Sequence, residues 1–207
     1  MTRAARAALV LAALALLAGA ARGQDELRVG TGKGLPGGFA EAALTVRDLA
    51  GTLLDEGDGP GLEIQGFALR IEYPAASVTS CDFHQAGVTR GKPALMSSVG
   101  RGAGYCYVLF AFEEGAAPLL FTLGRAAPGD TVGNFRLGLA ADLPLGSSFA
   151  LTPVASTAIL DNGQGTLSET PQNGHLALAS GVILITPEIF RDGFESGGLA
   201  VWSERRG

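Results

Sequence analysis

Gly66-Phe67-Ala68-Leu69-Arg70-Ile71-Glu72-Tyr73-Pro74 is the stretch whose reading decides the fold. Phe67, Leu69, Ile71 and Tyr73 alternate with Ala68, Arg70 and Glu72, the period of two expected of a strand with one apolar and one polar face. Pro74 ends the strand, since proline has no N–H to give to a ladder. Beyond it, Ser77 to Phe83 reads as a weaker strand containing Cys81, and Gly87 to Gly104 as a glycine-rich loop. Tyr105 to Phe112, apolar on both parities, reads as a central strand covered on both faces.

The same pattern continues in both directions. Leu27 to Gly30 is a short strand candidate, Gly32 to Gly38 breaks the chain, and Ala42, Leu44 and Val46 place a second alternating strand before the acidic loop Asp55 to Gly61. Leu119 to Leu123, Phe135 to Leu139, Thr157 to Leu160, His175 to Leu178 and Val182 to Ile185 are further strands set apart by Gly, Pro, Asp and Asn. Asn173-Gly174 carries the signature of a type I′ hairpin, whose two central residues both take positive φ. No stretch of the mature chain holds a helical period beyond about two turns with caps. The expectation is an all-β, two-layer antiparallel β-sandwich.

The totals agree with one domain of this kind. The 207 residues are 47% hydrophobic and 17% charged, and 31 glycines with 10 prolines lie between apolar runs as turn residues do. A net charge of −5 offers no basic footprint for nucleic acid or anionic lipid. Two histidines and two cysteines are too few for a Cys/His zinc cluster.

Both ends read as processing or targeting segments. Arg3 and Arg6 precede an apolar run from Ala7 to Leu17, followed by Ala18-Gly19-Ala20 and Ala21-Arg22-Gly23, which is the layout of a secretory signal peptide over 1–23. The run falls short of the roughly 20 apolar residues that span a bilayer core. Cleavage fits after Ala20 or Gly23, and the expected location is secreted or in the cell envelope of a bacterium. The domain then occupies 24–186. Phe190 to Ser203, within a tail of 187–207, resembles a short segment at the ends of secreted bacterial proteins and carries the only tryptophan, Trp202. In an oxidising compartment Cys81 and Cys106 read as a disulfide; two buried thiols are the alternative.

No catalytic constellation emerges. Nucleophilic hydrolysis needs a base within reach of a serine or cysteine, and His84 and His175, the only histidines, lie outside any nucleophile elbow. Asp55, Glu56 and Asp58 lack the alternating ligands and distal Glu of an EF-hand loop, so they read as a solvated loop. Gly30-Thr31-Gly32-Lys33-Gly34 has no following helix to cradle phosphate and reads as a strand connection. Neither a metal nor a cofactor is expected. Tyr105 and Tyr107 share a strand face and are the candidates for a sugar platform, but Leu109 and Ala111 continue that face and point to burial.

The order of these blocks resembles a cohesin domain, the jelly-roll sandwich that captures dockerins in cellulosomes. The resemblance rests on Leu27-Arg28-Val29-Gly30, the stretch Phe67 to Pro74, Leu119-Leu120-Phe121-Thr122-Leu123, Ala127-Pro128-Gly129 and Asn173-Gly174-His175-Leu176. Tyr73-Pro74 lacks the acidic residue that usually intervenes, and the two cysteines are additions to the pattern. The resemblance implies jelly-roll topology and a non-catalytic module that binds a secreted or surface protein, dockerin-like among the choices, through one sheet face. Arg70 and Glu72 are then the nearest partner-binding candidates. Polysaccharide binding and a purely structural role are the alternatives.

Overall fold

The structure is a computed structural model and describes residues 23–55, 61–113 and 118–187. Most of the expected signal peptide and C-terminal tail, and the acids Glu56 and Asp58, lie outside the described residues. The chain forms thirteen strands: β1 (Asp25–Val29), β2 (Thr31–Gly34), β3 (Phe39–Arg47), β4 (Gly66–Glu72), β5 (Val78–Gln85), β6 (Ala94–Gly102), β7 (Tyr105–Phe112), β8 (Asp130–Leu139), β9 (Ser148–Pro153), β10 (Ile159–Asp161), β11 (Ser168–Glu169), β12 (Leu176–Ala179) and β13 (Gly181–Ile185). Single 3-10 turns at Ala75–Ser77, Gly87–Thr89 and Ala155–Thr157 are the helical elements among the described residues.

Two sheets pack face to face. One has the order β12-β1-β3-β8-β5; the other is eight-stranded, with the path β11-β10-β4-β9-β13-β2 and the hairpin β6-β7 joined to it through β4. The expected all-β sandwich is therefore present. Most pairings are antiparallel, but β1 runs parallel to β12 and β2 parallel to β13. These two long chain segments lie side by side in one constant register and cross together from the first sheet to the second, at Gly30 and at Gly181.

The core follows the alternation read from the sequence. Phe67, Leu69, Ile71 and Tyr73 are buried, as are Ala42, Leu44 and Val46. Phe83 and Phe135 from the five-stranded sheet meet Phe67 and Phe110 from the other: Phe83 packs 5.1 Å from Phe135 and 5.4 Å from Phe110, and Phe67 lies 5.6 Å from Phe110. Such ring pairs add to area burial through edge-to-face and offset contacts. Beside this cluster a disulfide joins Cys81 of β5 to Cys106 of β7, as expected from the cysteine pair. It links the two sheets along the side where β5 and β6 form their free edges.

Four local expectations are corrected. The loop placed over Gly87 to Gly104 contains β6, paired with β7 along its whole length. Thr31 to Gly34, read as a connection, is strand β2; Gly32 is needed because a Cβ there would come within 2.5 Å of the Glu41 carbonyl oxygen. Asn173-Gly174 does form a turn, but Gly174 alone of the two has positive φ, and β11 and β12 on either side enter different sheets. The Asn173 side chain instead accepts hydrogen bonds from the Thr170 and His175 N–H groups.

Leu119 to Leu123, expected to be a strand, is not in a sheet, although Leu119 and Phe121 are buried and Leu120 and Leu123 exposed. Side chains replace the ladder. The Leu119 N–H donates to Gln65 Oε1 at 2.8 Å, its carbonyl accepts from Gln65 Nε2 at 3.2 Å, and the Thr122 N–H donates to Asp130 Oδ2 at 2.8 Å. Gln65 is fully buried, so Gln65→Ala strands two buried backbone groups of Leu119. The expected loss is about 2 kcal/mol, read from urea denaturation against the parent protein.

Candidate binding face

Parity along β4 turns Ala68, Arg70 and Glu72 away from the core, and the register with β7 decides what stands beside them. Ala68 pairs with Leu109, Arg70 with Tyr107 and Glu72 with Tyr105. On the far side of β7, Ser98 of β6 pairs with Leu109, Gly100 with Tyr107 and Gly102 with Tyr105. On the near side of β4, Ile159 and Asp161 of β10 pair with Ala68 and Gly66, and Thr152 of β9 with Glu72. Arg70, Glu72, Tyr105 and Tyr107 therefore share one outward surface.

Arg70 organises the polar end of this surface. Its guanidinium sits 4.0 Å from the centre of the Tyr105 ring, and Nη2 donates to Glu72 Oε1 at 2.8 Å. Cation–π contact and ion pair together hold a long side chain that would otherwise sample many rotamers. The Arg70 N–H donates to Thr157 Oγ1 and its carbonyl accepts from the Val154 N–H, so the backbone beneath is also fixed. Arg70 Nε is buried without a hydrogen-bond partner. An ion pair on so exposed a surface contributes little to stability; its effect is to set a fixed charge pattern.

The two tyrosines depend on glycine. A Cβ at Gly100 would collide with the Tyr107 ring, and one at Gly102 with the Tyr105 ring, so each ring lies across bare backbone of β6. This arrangement corrects the expectation of full burial: Tyr107 is 39% exposed, and the outward face of β7 is covered only in part, with Ala111 buried and Tyr105 and Leu109 half-buried. Its hydroxyl is 3.5 Å from Ser98 Oγ. Beyond Tyr107 the surface turns apolar, with Met96 56% exposed and Leu95 68% exposed on the edge strand β6. At the opposite border Asp161 packs against Gly66, and burial raises its carboxyl above the usual range although the Gly163 N–H donates to it.

The other candidates are scattered. His84 is exposed on β5 and His175 lies next to β12, at opposite edges of the five-stranded sheet and at least about 19 Å apart, the width of four strand spacings. They do not share a site. Among the described residues no three His, Cys, Asp or Glu side chains group so as to hold a metal ion. No helix of the described residues is long and apolar enough to cross a membrane.

Comparison with known proteins separates sequence from fold. No family model matches the sequence, and no curated protein matches it. Solved structures do match. The third cohesin of ScaC from Acetivibrio cellulolyticus, seen with the ScaB dockerin, superposes with a TM-score of 0.57 at 13% identity, over 79% of this chain and 99% of that one. CaCohA2 of Clostridium acetobutylicum gives 0.56 at 17% identity, over 80% and 92%. The OlpA cohesin of Clostridium thermocellum, in a type I cohesin-dockerin complex, gives 0.53 at 15% identity, over 78% and 99%. At these identities the likeness is one of architecture, and the chain has the jelly-roll β-sandwich fold of the cohesins.

Proposed function

We propose that this chain is an exported, non-catalytic binding module that captures a protein partner on the outer face of β4, β6 and β7. The observation that carries the reading is the composition of that face: Arg70 fixed over Tyr105 and paired with Glu72, the open ring of Tyr107, and exposed Met96 and Leu95 beside it. Arginine and tyrosine in a firmly held setting, next to apolar surface, are the residue types that dominate protein interfaces. The fold likeness supports a dockerin-like partner, since two of the similar cohesins were seen with dockerins. Export is supported by the signal-peptide layout of 1–23 and by the Cys81–Cys106 disulfide, which suits an oxidising compartment. The tail of 187–207 then serves in export or surface retention.

Carbohydrate binding is the weaker reading because a sugar stacks on an uncovered ring, and Arg70 already covers Tyr105. Titration calorimetry against a panel of dockerins tests the assignment. A complex that Arg70→Ala and Tyr107→Ala each weaken by about tenfold or more, with melting unchanged, is the expected outcome. Binding indifferent to both substitutions removes this face from the function. Glycan binding lost in Tyr107→Ala, with no protein complex, installs the sugar reading instead.

A further inference from the structure

The two open sides of the sandwich are closed differently. On the side of β5 and β6 the closure is the disulfide. On the other side, where β12 edges the five-stranded sheet with β1 next to it and the two-residue strand β11 edges the eight-stranded sheet, are two carboxyl groups, Asp25 of β1 and Glu169 of β11, both with no exposure to solvent. Asp25 Oδ1 accepts the Leu49 N–H at 2.8 Å. Glu169 Oε1 accepts the Leu53 and Leu54 N–H groups at 2.6 and 3.1 Å. The second oxygens, Asp25 Oδ2 and Glu169 Oε2, are buried with no donor from the protein, and the two side chains are close neighbours.

Two ionised carboxylates so placed would repel each other in a medium that solvates neither, a cost buried charges avoid by neutralising. Arg28 of β1 and Arg47 of β3 pair with Glu26, and among the described residues no ion pair reaches Asp25 or Glu169. A proton on the Asp25 carboxyl would give these two oxygens a hydrogen bond in place of a repulsion. We propose that Asp25 keeps its proton at neutral pH and shares it with Glu169 as the hydrogen-bond acceptor, and that this acid–carboxylate bond is a pH-released latch tying β1, the 49–54 loop and β11 together.

The surrounding groups point the same way. Burial first, and then the charge of Glu169, push the Asp25 carboxyl up to about 9, with Asp48 at the end of β3 adding a further like charge. The Leu49 N–H pulls in the opposite direction without reversing the shift. Asp55 of the same loop is turned to the Gly51 and Thr52 N–H groups. His175, before β12, meets Asp25 through its backbone carbonyl, which accepts the Asp25 N–H at 2.9 Å. Each carboxyl thus serves as an acceptor for one part of the loop, and the shared proton joins the two halves. A second negative charge at this point would push β11 away from β1.

The sign of the pH effect follows from the raised affinity for the proton. The folded protein keeps it above the ordinary aspartate range whereas the unfolded chain releases it, so the contribution is full at low pH and is lost as pH rises toward about 9, levelling off above. Thermal melts of the full chain, of Asp25→Asn and of Glu169→Gln, taken from about pH 5 to about pH 10, read this directly. Either amide supplies a permanent N–H donor in place of the proton. The wild-type Tm is expected to fall relative to Asp25→Asn across that range, and Glu169→Gln to behave alike. Curves that stay parallel overturn the proposal. So does a rise in wild-type Tm on adding calcium at neutral pH that Asp25→Asn abolishes, which would place a cation between the carboxyls. Should neither variant fold, carboxyl carbon NMR of the wild type decides: an Asp25 signal titrating in the ordinary aspartate range rejects the shared proton, and one still protonated at pH 7 supports it.

Discussion

Gly181→Ala is expected to destabilise the sandwich by about 3 kcal/mol or more, as overpacking against an unyielding neighbour does. Gly181 stands where β12 passes into β13, alongside Gly30, where β1 passes into β2. A Cβ at position 181 would lie within the van der Waals envelope of the Gly30 carbonyl oxygen, and 2.9 Å from both Val29 O and Val29 Cγ1. Two of those three obstacles are backbone atoms held in a ladder, so no rotamer change relieves the clash. Neither strand can move away without breaking its pairing in the other sheet. Gly30→Ala is the graded control: its Cβ would meet Ala43 O at 3.2 Å, a contact that a small shift absorbs. Urea denaturation of the two variants should rank them in that order. A Gly181→Ala protein as stable as the parent would mean that the paired crossing is looser than its register implies.

Removing the disulfide, by Cys81→Ala with Cys106→Ala, is expected to cost about 3 kcal/mol. The two cysteines are 25 residues apart in sequence, and cross-linking a loop of that size restricts the unfolded chain by this order of free energy. Position matters as well. Cys81 and Cys106 are both buried next to the phenylalanine cluster, so alanine also leaves unfilled volume between β5 and β7. Urea unfolding of the parent with and without reductant separates the two contributions, since reduction keeps the sulfur atoms in place. Equal midpoints for oxidised and reduced parent would show that packing, not the cross-link, holds this side shut.

What could be read from the sequence and what could not divides along local and non-local causes. The strand Phe67 to Tyr73 was legible because burial on one face is written as alternation within a single segment. Arg70 and Glu72 were legible as outward residues for the same reason. The company they keep was not: Tyr105 reaches Arg70 only through the pairing of β4 with β7, which no local period encodes. Strand β6 was read as loop because an edge strand need not bury either face, and Gly100 and Gly102 imitate turn residues while in fact making room for two rings. Thr31 to Gly34 misled in the same manner, its glycines answering to close approach by a distant strand. Leu119 to Leu123 shows the converse, an apolar run without a sheet, because Gln65 and Asp130 supply the hydrogen bonds. Asp25 and Glu169 carry no mark in the sequence of their meeting; only the fold brings the start of β1 against β11.

The parallel course of the first and last strands also governs how the domain would carry a load. Because β1-β2 and β12-β13 run side by side in the same direction, the beginning of one and the end of the other lie at opposite ends of the pair. Tension applied between them acts along the strands. The ladder hydrogen bonds of that pair are then strained together in shear rather than peeled one after another. Resistance to such a pull is set by the height of the unfolding barrier, not by equilibrium stability, and the parallel pair places its hydrogen bonds across the direction of that pull.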